Sequence, residues 1–168
     1  MRISDAMLPE VEQEMAQTRK TLARVPDDKF SYKPHDKSME MGALALHIAM
    51  MASWGADTLT SDNFDIAPVD GQPYQMPTAK TTAEVLAVFD QGAAAFKQKL
   101  AATENDAMMK QWSLLQGGKP MFTMPRAAVI RGMILNHIVH HRGQLTVYLR
   151  MNNVPVPALY GPSADEQG

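Results

Sequence analysis

The feature that most constrains this chain is where its prolines fall. Pro26 and Pro34, then Pro68, Pro73 and Pro77, then Pro120 and Pro125, and finally Pro155, Pro157 and Pro162 punctuate the sequence. Between them lie four long segments with few breakers. Proline removes a backbone donor and its ring clashes with the preceding turn, so helices stop at such points and run between them.

Each segment carries the spacing of a helix with one buried face. In the first, about residues 4–25, Val11, Met15, Thr18, Leu22 and Val25 recur at steps of three and four. The second, about 38–59, has Ser38 as a plausible N-cap, with Glu40 in the first turn. The third, about 81–103, opens on Thr81-Thr82-Ala83-Glu84, the pattern of a capping box. Its inner face is Val85, Phe89, Gly92, Phe96 and Leu100. The fourth, about 125–151, begins at Pro125, a favourable first-turn proline, and stops at Asn152-Asn153. No segment shows the alternation of a strand-rich fold. The expectation is an all-α, antiparallel four-helix bundle with long inter-helix loops, in a single domain over 1–168 with a C-terminal tail from 152 to 168. The connection from Thr60 to Lys80 is long enough to be functional or mobile. The stretch from Asn105 to Met124, with Trp112, Gly117, Gly118 and Pro120, suits a turn or short hairpin over one end of the bundle.

Composition narrows the function classes. A chain of 168 residues fits one domain, with a core that needs no staples. Sixteen basic and 18 acidic residues give a net charge of −2, and no basic run appears, which argues against a nucleic-acid partner. With no cysteine there is no disulfide, thiolate metal site or cysteine nucleophile. The N-terminus lacks the apolar stretch of a signal peptide and no run spans a bilayer, so a cytoplasmic location without membrane contact is expected. Fourteen methionines suggest a plastic core or an adaptable apolar pocket.

The histidines carry the chemistry. At about 100° per residue, Ala43, Leu44, Met50, Met51 and Trp54 fall within about 60° of His47, placing it within a buried stripe. Ala45, Ala49, Ala52 and Ala56 occupy the other face, where small residues suit close packing or solvent. On the fourth helix, Ile130, Met133, Ile134, His141, Gln144 and Tyr148 share a face with His137. His137 and His141, four apart, stand one above the other, a spacing that lets two imidazoles converge on one ion. A lone core histidine is more often a hydrogen-bonded polar residue. Three on facing helices are best satisfied together by a metal ion, since buried polar groups need partners and neutral imidazole is a common ligand. His140 lies at the edge of the same face, a spare ligand or a supporting group. His35 falls in an exposed loop, and Arg142 points away from the histidine face towards solvent or an interface.

These residues bear a resemblance. The stretch Asn136-His137-Ile138-Val139-His140-His141-Arg142-Gly143-Gln144-Leu145 and the run from Ser38 to His47 resemble the DinB/YfiT-like superfamily of metal-binding four-helix bundles. So do Leu22 to Pro26, Lys33-Pro34, and the tail from Val154 to Glu166. The resemblance implies a metal held by His47, His137 and His141, and a homodimer. It also brings relatives that are thiol S-transferases or isomerases, relatives described as DNA-damage-inducible, and many with no assigned reaction.

Three neutral imidazoles leave an ion its full charge and open coordination positions. Such a site suits activation of water or binding of a substrate thiol as thiolate. The resemblance favours the thiol. Zinc or nickel comes first as the metal, with iron or copper next. Gln144 and Tyr148 are placed to touch an outer ligand, Glu12 or Glu14 to orient a histidine, and no general base is named. The competing classes are a metal-dependent transferase or hydrolase acting on a small molecule, a non-catalytic ligand-binding module, and a structural dimer stapled by its metal. Gly132, Val139, Gly143 and Thr146, opposite the histidines, give a second copy room to approach.

Overall fold

A computed structural model describes residues 1–167. Four long helices form the frame: α1 (Ile3–Leu22), α2 (Met41–Thr60), α3 (Thr82–Ala101) and a last helix in three pieces. Those pieces are α5 (Arg126–Ala128), a π-helical stretch (Val129–Leu135) and α6 (Asn136–Met151). A short helix α4 (Asn105–Met109) and three strands, β1 (Asn63–Asp65), β2 (Gln111–Gln116) and β3 (Lys119–Pro125), fill the connections.

The helix faces follow the periodicity. Val11, Met15, Thr18 and Leu22 of α1 are buried, as are Val85, Phe89, Gly92, Phe96 and Leu100 of α3. The alanines of α2 are buried too: Ala45, Ala49, Ala52 and Ala56 face inward, so α2 is enclosed on nearly every side. Their small size lets α3 come close. A Cβ on Gly92 would lie 2.5 Å from Ser53 Oγ and 2.8 Å from its backbone nitrogen, so only glycine permits this approach.

Helix starts differ from expectation in detail. Glu40, not Ser38, is the N-cap of α2, and no side chain caps it. Instead Met41 and Gly42 donate their backbone N–H groups to the carbonyls of Tyr32 and Phe30, so the preceding loop satisfies the free donors. At α3, Thr81 Oγ1 accepts from Glu84 N at 3.2 Å, whereas the Glu84 carboxylate accepts from Lys80 N rather than completing the box on Thr81.

A small sheet corrects the expectation of a purely helical bundle. β1 pairs in parallel with β2, and β2 pairs antiparallel with β3, in the order β1-β2-β3. Gly117 and Gly118 form the hairpin turn with φ of 61° and 73°, values that glycine adopts freely and that match the twist of two-residue hairpins. The Asp65 carboxylate accepts from the N–H groups of Ala67, Gly117 and Gly118, tying the turn to β1. Partial desolvation works to raise Asp65, but the three N–H donors outweigh it and hold the carboxyl below its usual range. The sheet therefore roofs one end of the helical frame. Among the described residues, no helix is long and apolar enough to cross a membrane.

Candidate metal centre

The histidines of α2 and α6 meet below this roof. One ring nitrogen from each of His47, His137 and His141 lies within 4.8 Å of the other two, a group that could hold a metal ion. The ring centroid of His47 is 5.3 Å from that of His137 and 4.8 Å from that of His141. The turn spacing brings His137 Nε2 and His141 Nε2 to 2.9 Å.

The outer nitrogens explain how the rings are aimed. His141 Nδ1 stands 2.7 Å from Gln144 Oε1, and since the amide oxygen only accepts, Nδ1 carries the proton. The Met133 backbone, one turn earlier, lies on the side of His137 and works to raise its pKa. With Nδ1 protonated, His141 Nε2 turns its lone pair towards His137 Nε2, where either a proton on His137 or a shared cation satisfies it. Nitrogens bound at about 2.1 Å in a tetrahedron stand roughly 3.4 Å apart, so the rings need only small adjustments to close on an ion. The donor set thus fits a borderline transition metal.

The electrostatics point the same way. Burial, and then the neighbouring His141 and His137 rings, press His47 down to about 4. Burial, and next His141, also lower His137. Both are neutral at pH 7, the form that binds metal. Among the described residues no carboxylate joins the group.

The other residues marked in the sequence are distributed around this centre. His140 is exposed, its ring centroid 4.9 Å from that of His141, and it stays outside the group. His35 is exposed in its loop and accepts from Lys37 N. Tyr148 donates to the Met39 carbonyl at 3.1 Å, bracing the loop before α2. Glu12 is exposed. Glu14 turns to the other side of α6, where it pairs with Arg142 at 2.7 Å. Arg142 is 1% exposed, so it is neither solvated nor at a free surface. Its position away from the histidine face was correct, but that side is covered by α1 and the C-terminal tail. Thr18 Oγ1, the Glu14 carbonyl and Tyr160 also accept from its guanidinium.

Two cavities flank the histidines. One, about 310 Å³, is lined by His47 and His137 together with Trp54, Phe64, Tyr74, Trp112, Leu114 and Phe122. The other, about 440 Å³, is an open groove lined by His141, Gln144, Tyr148, Lys37, Ser38 and Val147. The sequence reading had not assigned the sheet residues Phe64, Leu114 and Phe122 to the site. For Leu114 and Phe122 the signal is the Gly117-Gly118 pair between two apolar-containing runs, a hairpin pattern that pairs β2 with β3; Phe64, on the three-residue β1, carries none.

A helical frame with an inward group of three imidazoles and a small capping sheet defines a class of bundle proteins with a potential metal centre. Residues 2–167 match the model of the DinB family, and the chain belongs to that family. An uncharacterized protein, YrdA of Bacillus subtilis (strain 168), is 28% identical over 163 residues, covering 96% of this chain and 90% of the relative. A DinB-like protein from Bacillus cereus ATCC 10987 has a similar fold, with a TM-score of 0.71 and 20% identity over 93% of this chain and 97% of the other. The DinB-like protein YjoA of Bacillus subtilis aligns with a TM-score of 0.68 and 17% identity over 97% and 99% of the two chains.

Proposed function

We propose that this protein is a metal-dependent enzyme acting on a small molecule, with His47, His137 and His141 as the metal ligands and thiol transfer as the favoured reaction over hydrolysis. The observation that carries this is the donor set: three imidazoles, no carboxylate among them, and a cavity on either side. A purely structural site would be closed by a fourth protein ligand. The chemistry a bound divalent ion supplies here is Lewis acidity, which favours ionisation of a water or a thiol at the open positions.

The chain's own residues do the rest. Gln144 holds His141 in one tautomer and fixes its ring. The apolar walls on the His47 side keep water away, which strengthens charge interactions within the site. Zinc or nickel is the proposed metal. The outer face of the last helix supports a homodimer as well: Gly132 of the π-helical stretch and Gly143 of α6 are exposed with open space about them. Sedimentation velocity giving only the monomer mass at micromolar concentration would remove that part.

Elemental analysis of the untagged protein tests the main proposal. Near one metal per chain, lost in His47→Ala and in His137→Ala, is expected. No metal in the wild type, with none taken up from added zinc or nickel, would reduce the histidines to core polar residues and remove the basis for an enzyme.

A further inference from the structure

The two cavities differ in chemistry, and the difference specifies a ligand. The open groove on the His141 side has Lys37, Ser38 and Gln144 on its walls. The cavity under the sheet has five aromatic rings, Trp54, Phe64, Tyr74, Trp112 and Phe122, and one charged residue, Asp57 at its exposed edge. At about 310 Å³ it falls at the small end of the usual range for small-molecule sites.

The rings hold one another in place. Phe64 and Tyr74 meet edge to face at 5.2 Å, Trp54 and Tyr74 at 6.4 Å, and Trp112 lies 6.1 Å from Phe122. The first two pairs are edge-on and the third is tilted at 41°, and all three separations are those at which aromatic pairs attract. Polar groups on the wall are turned to the protein: Trp112 Nε1 faces Ser61 Oγ at 3.4 Å, and the Tyr74 hydroxyl faces Met50 Sδ at 3.9 Å. A polar ligand body would lose its water here and gain few hydrogen bonds in return. An apolar ring would instead find aromatic edges and faces on several sides. His47 and His137 form the one polar end of the wall away from Asp57.

We infer that the cavity between the sheet and α2 binds the neutral, ring-bearing apolar part of an organic substrate, oriented so that its polar end meets His47 and His137. The sheet thereby acts as a specificity element, with Trp112, Leu114 and Phe122 as its contact residues. That the histidine end is the reacting end rests on the proposed function. The binding of an apolar ring does not.

The test uses N-phenyl-1-naphthylamine, a neutral aromatic fluorophore that accepts energy from tryptophan. The chain's two tryptophans, Trp54 and Trp112, both line the cavity, so their quenching reports its occupancy. Saturable quenching at one probe per chain is expected, with matching sensitised emission. Leu114→Asp should weaken binding at least tenfold. Met133→Glu should do so as well, and because Met133 is 39% exposed on the rim, this variant keeps the test decisive if Leu114→Asp does not fold. Lys37→Glu, in the other groove, should leave probe affinity within twofold. No saturable quenching in the wild type, or unchanged affinity in a folded Met133→Glu, overturns the assignment. Equal loss in Lys37→Glu overturns it too. Metal content measured on the same samples separates the two proposals: metal bound without probe binding sinks only this one, and probe binding without metal uptake sinks only the metal site.

Discussion

His141 and Arg142 are neighbours in sequence, yet they anchor two polar clusters on opposite sides of α6 that follow opposite rules. On one side Arg142 is fully enclosed, and its guanidinium has a carboxylate, a hydroxyl, a carbonyl and a phenol as partners. Every member of that cluster finds its complement within the chain. On the other side three imidazoles are gathered with no anion among them, half-buried and beside open cavities. A cluster satisfied from within holds the fold together, here by locking α1, α6 and the tail. A cluster left incomplete is one to which something else can be added.

The largest expected effect sets the two sides against each other in the metal-free protein. Arg142→Met strands the buried Glu14 carboxylate and should cost about 3–5 kcal/mol, as removal of one partner from a buried pair does. For a chain of this length that lowers Tm by about 10 °C. His141→Leu, one residue away, should change stability by less than about 1 kcal/mol, because it removes a half-exposed ring that is not enclosed by charged partners. Urea melts of both variants after chelation measure this. Equal losses would erase the distinction between a self-satisfied and an open cluster.

Next comes the response to metal. Free zinc or nickel at a hundred times its dissociation constant should stabilise the wild type by about 2.7 kcal/mol. Arg142→Met should gain the same increment from its lower baseline, and His47→Ala should gain none. Differential scanning fluorimetry with and without the ion reads the contrast. Stabilisation that persists in His47→Ala would place the ion elsewhere.

What could be read in the sequence divides along the same line. Periodicity revealed the helices, because each buries a face whose positions recur every three or four residues, as Val85, Phe89, Gly92, Phe96 and Leu100 do. It also gathered His47, His137 and His141 onto facing surfaces. It concealed the partners that lie far apart in sequence. Arg142 was expected at solvent or an interface since it lies off the histidine face, but α6 is buried on two sides, and the second is covered by Glu14 from α1 and Tyr160 from the tail. Glu14 was weighed as a support for the histidines, and it is held by Arg142 instead. The sheet was only partly visible. A hairpin near Trp112 was within expectation, whereas β1 is three residues long and pairs with β2 across about 50 intervening positions, too short a strand to show alternation.

Gln144 sharpens the comparison on the open side. Its amide oxygen is 2.7 Å from His141 Nδ1, and outer partners of this kind typically carry 10- to 100-fold of metal affinity, about 1.4–2.7 kcal/mol. Gln144→Ala should weaken zinc or nickel binding by that factor, measured by competition with a chelator, with the melt of the metal-free protein unchanged. A loss of stability without loss of affinity would make Gln144 part of the fold rather than part of the site.

The smallest effect tests the closed side by pH. Withdrawal of the Tyr160 hydroxyl from water raises its pKa above the ordinary 10, the Glu14 carboxylate to which it donates adds to this, and Arg142 pulls against both. The sign follows from a folded pKa above the unfolded one: the contribution to stability is complete below pH 10 and is lost as pH rises through the folded value. In an absorbance titration of phenolate formation, Tyr160→Phe should therefore remove one of the four phenols from the late-ionising part of the curve and leave the early part unchanged. Arg142→Met, which takes away the one group lowering Tyr160, should delay that ionisation further. If Tyr160→Phe instead removes an early-ionising phenol, the tail is not seated on Arg142 and Glu14 in solution, and the second cluster is as open to water as the first.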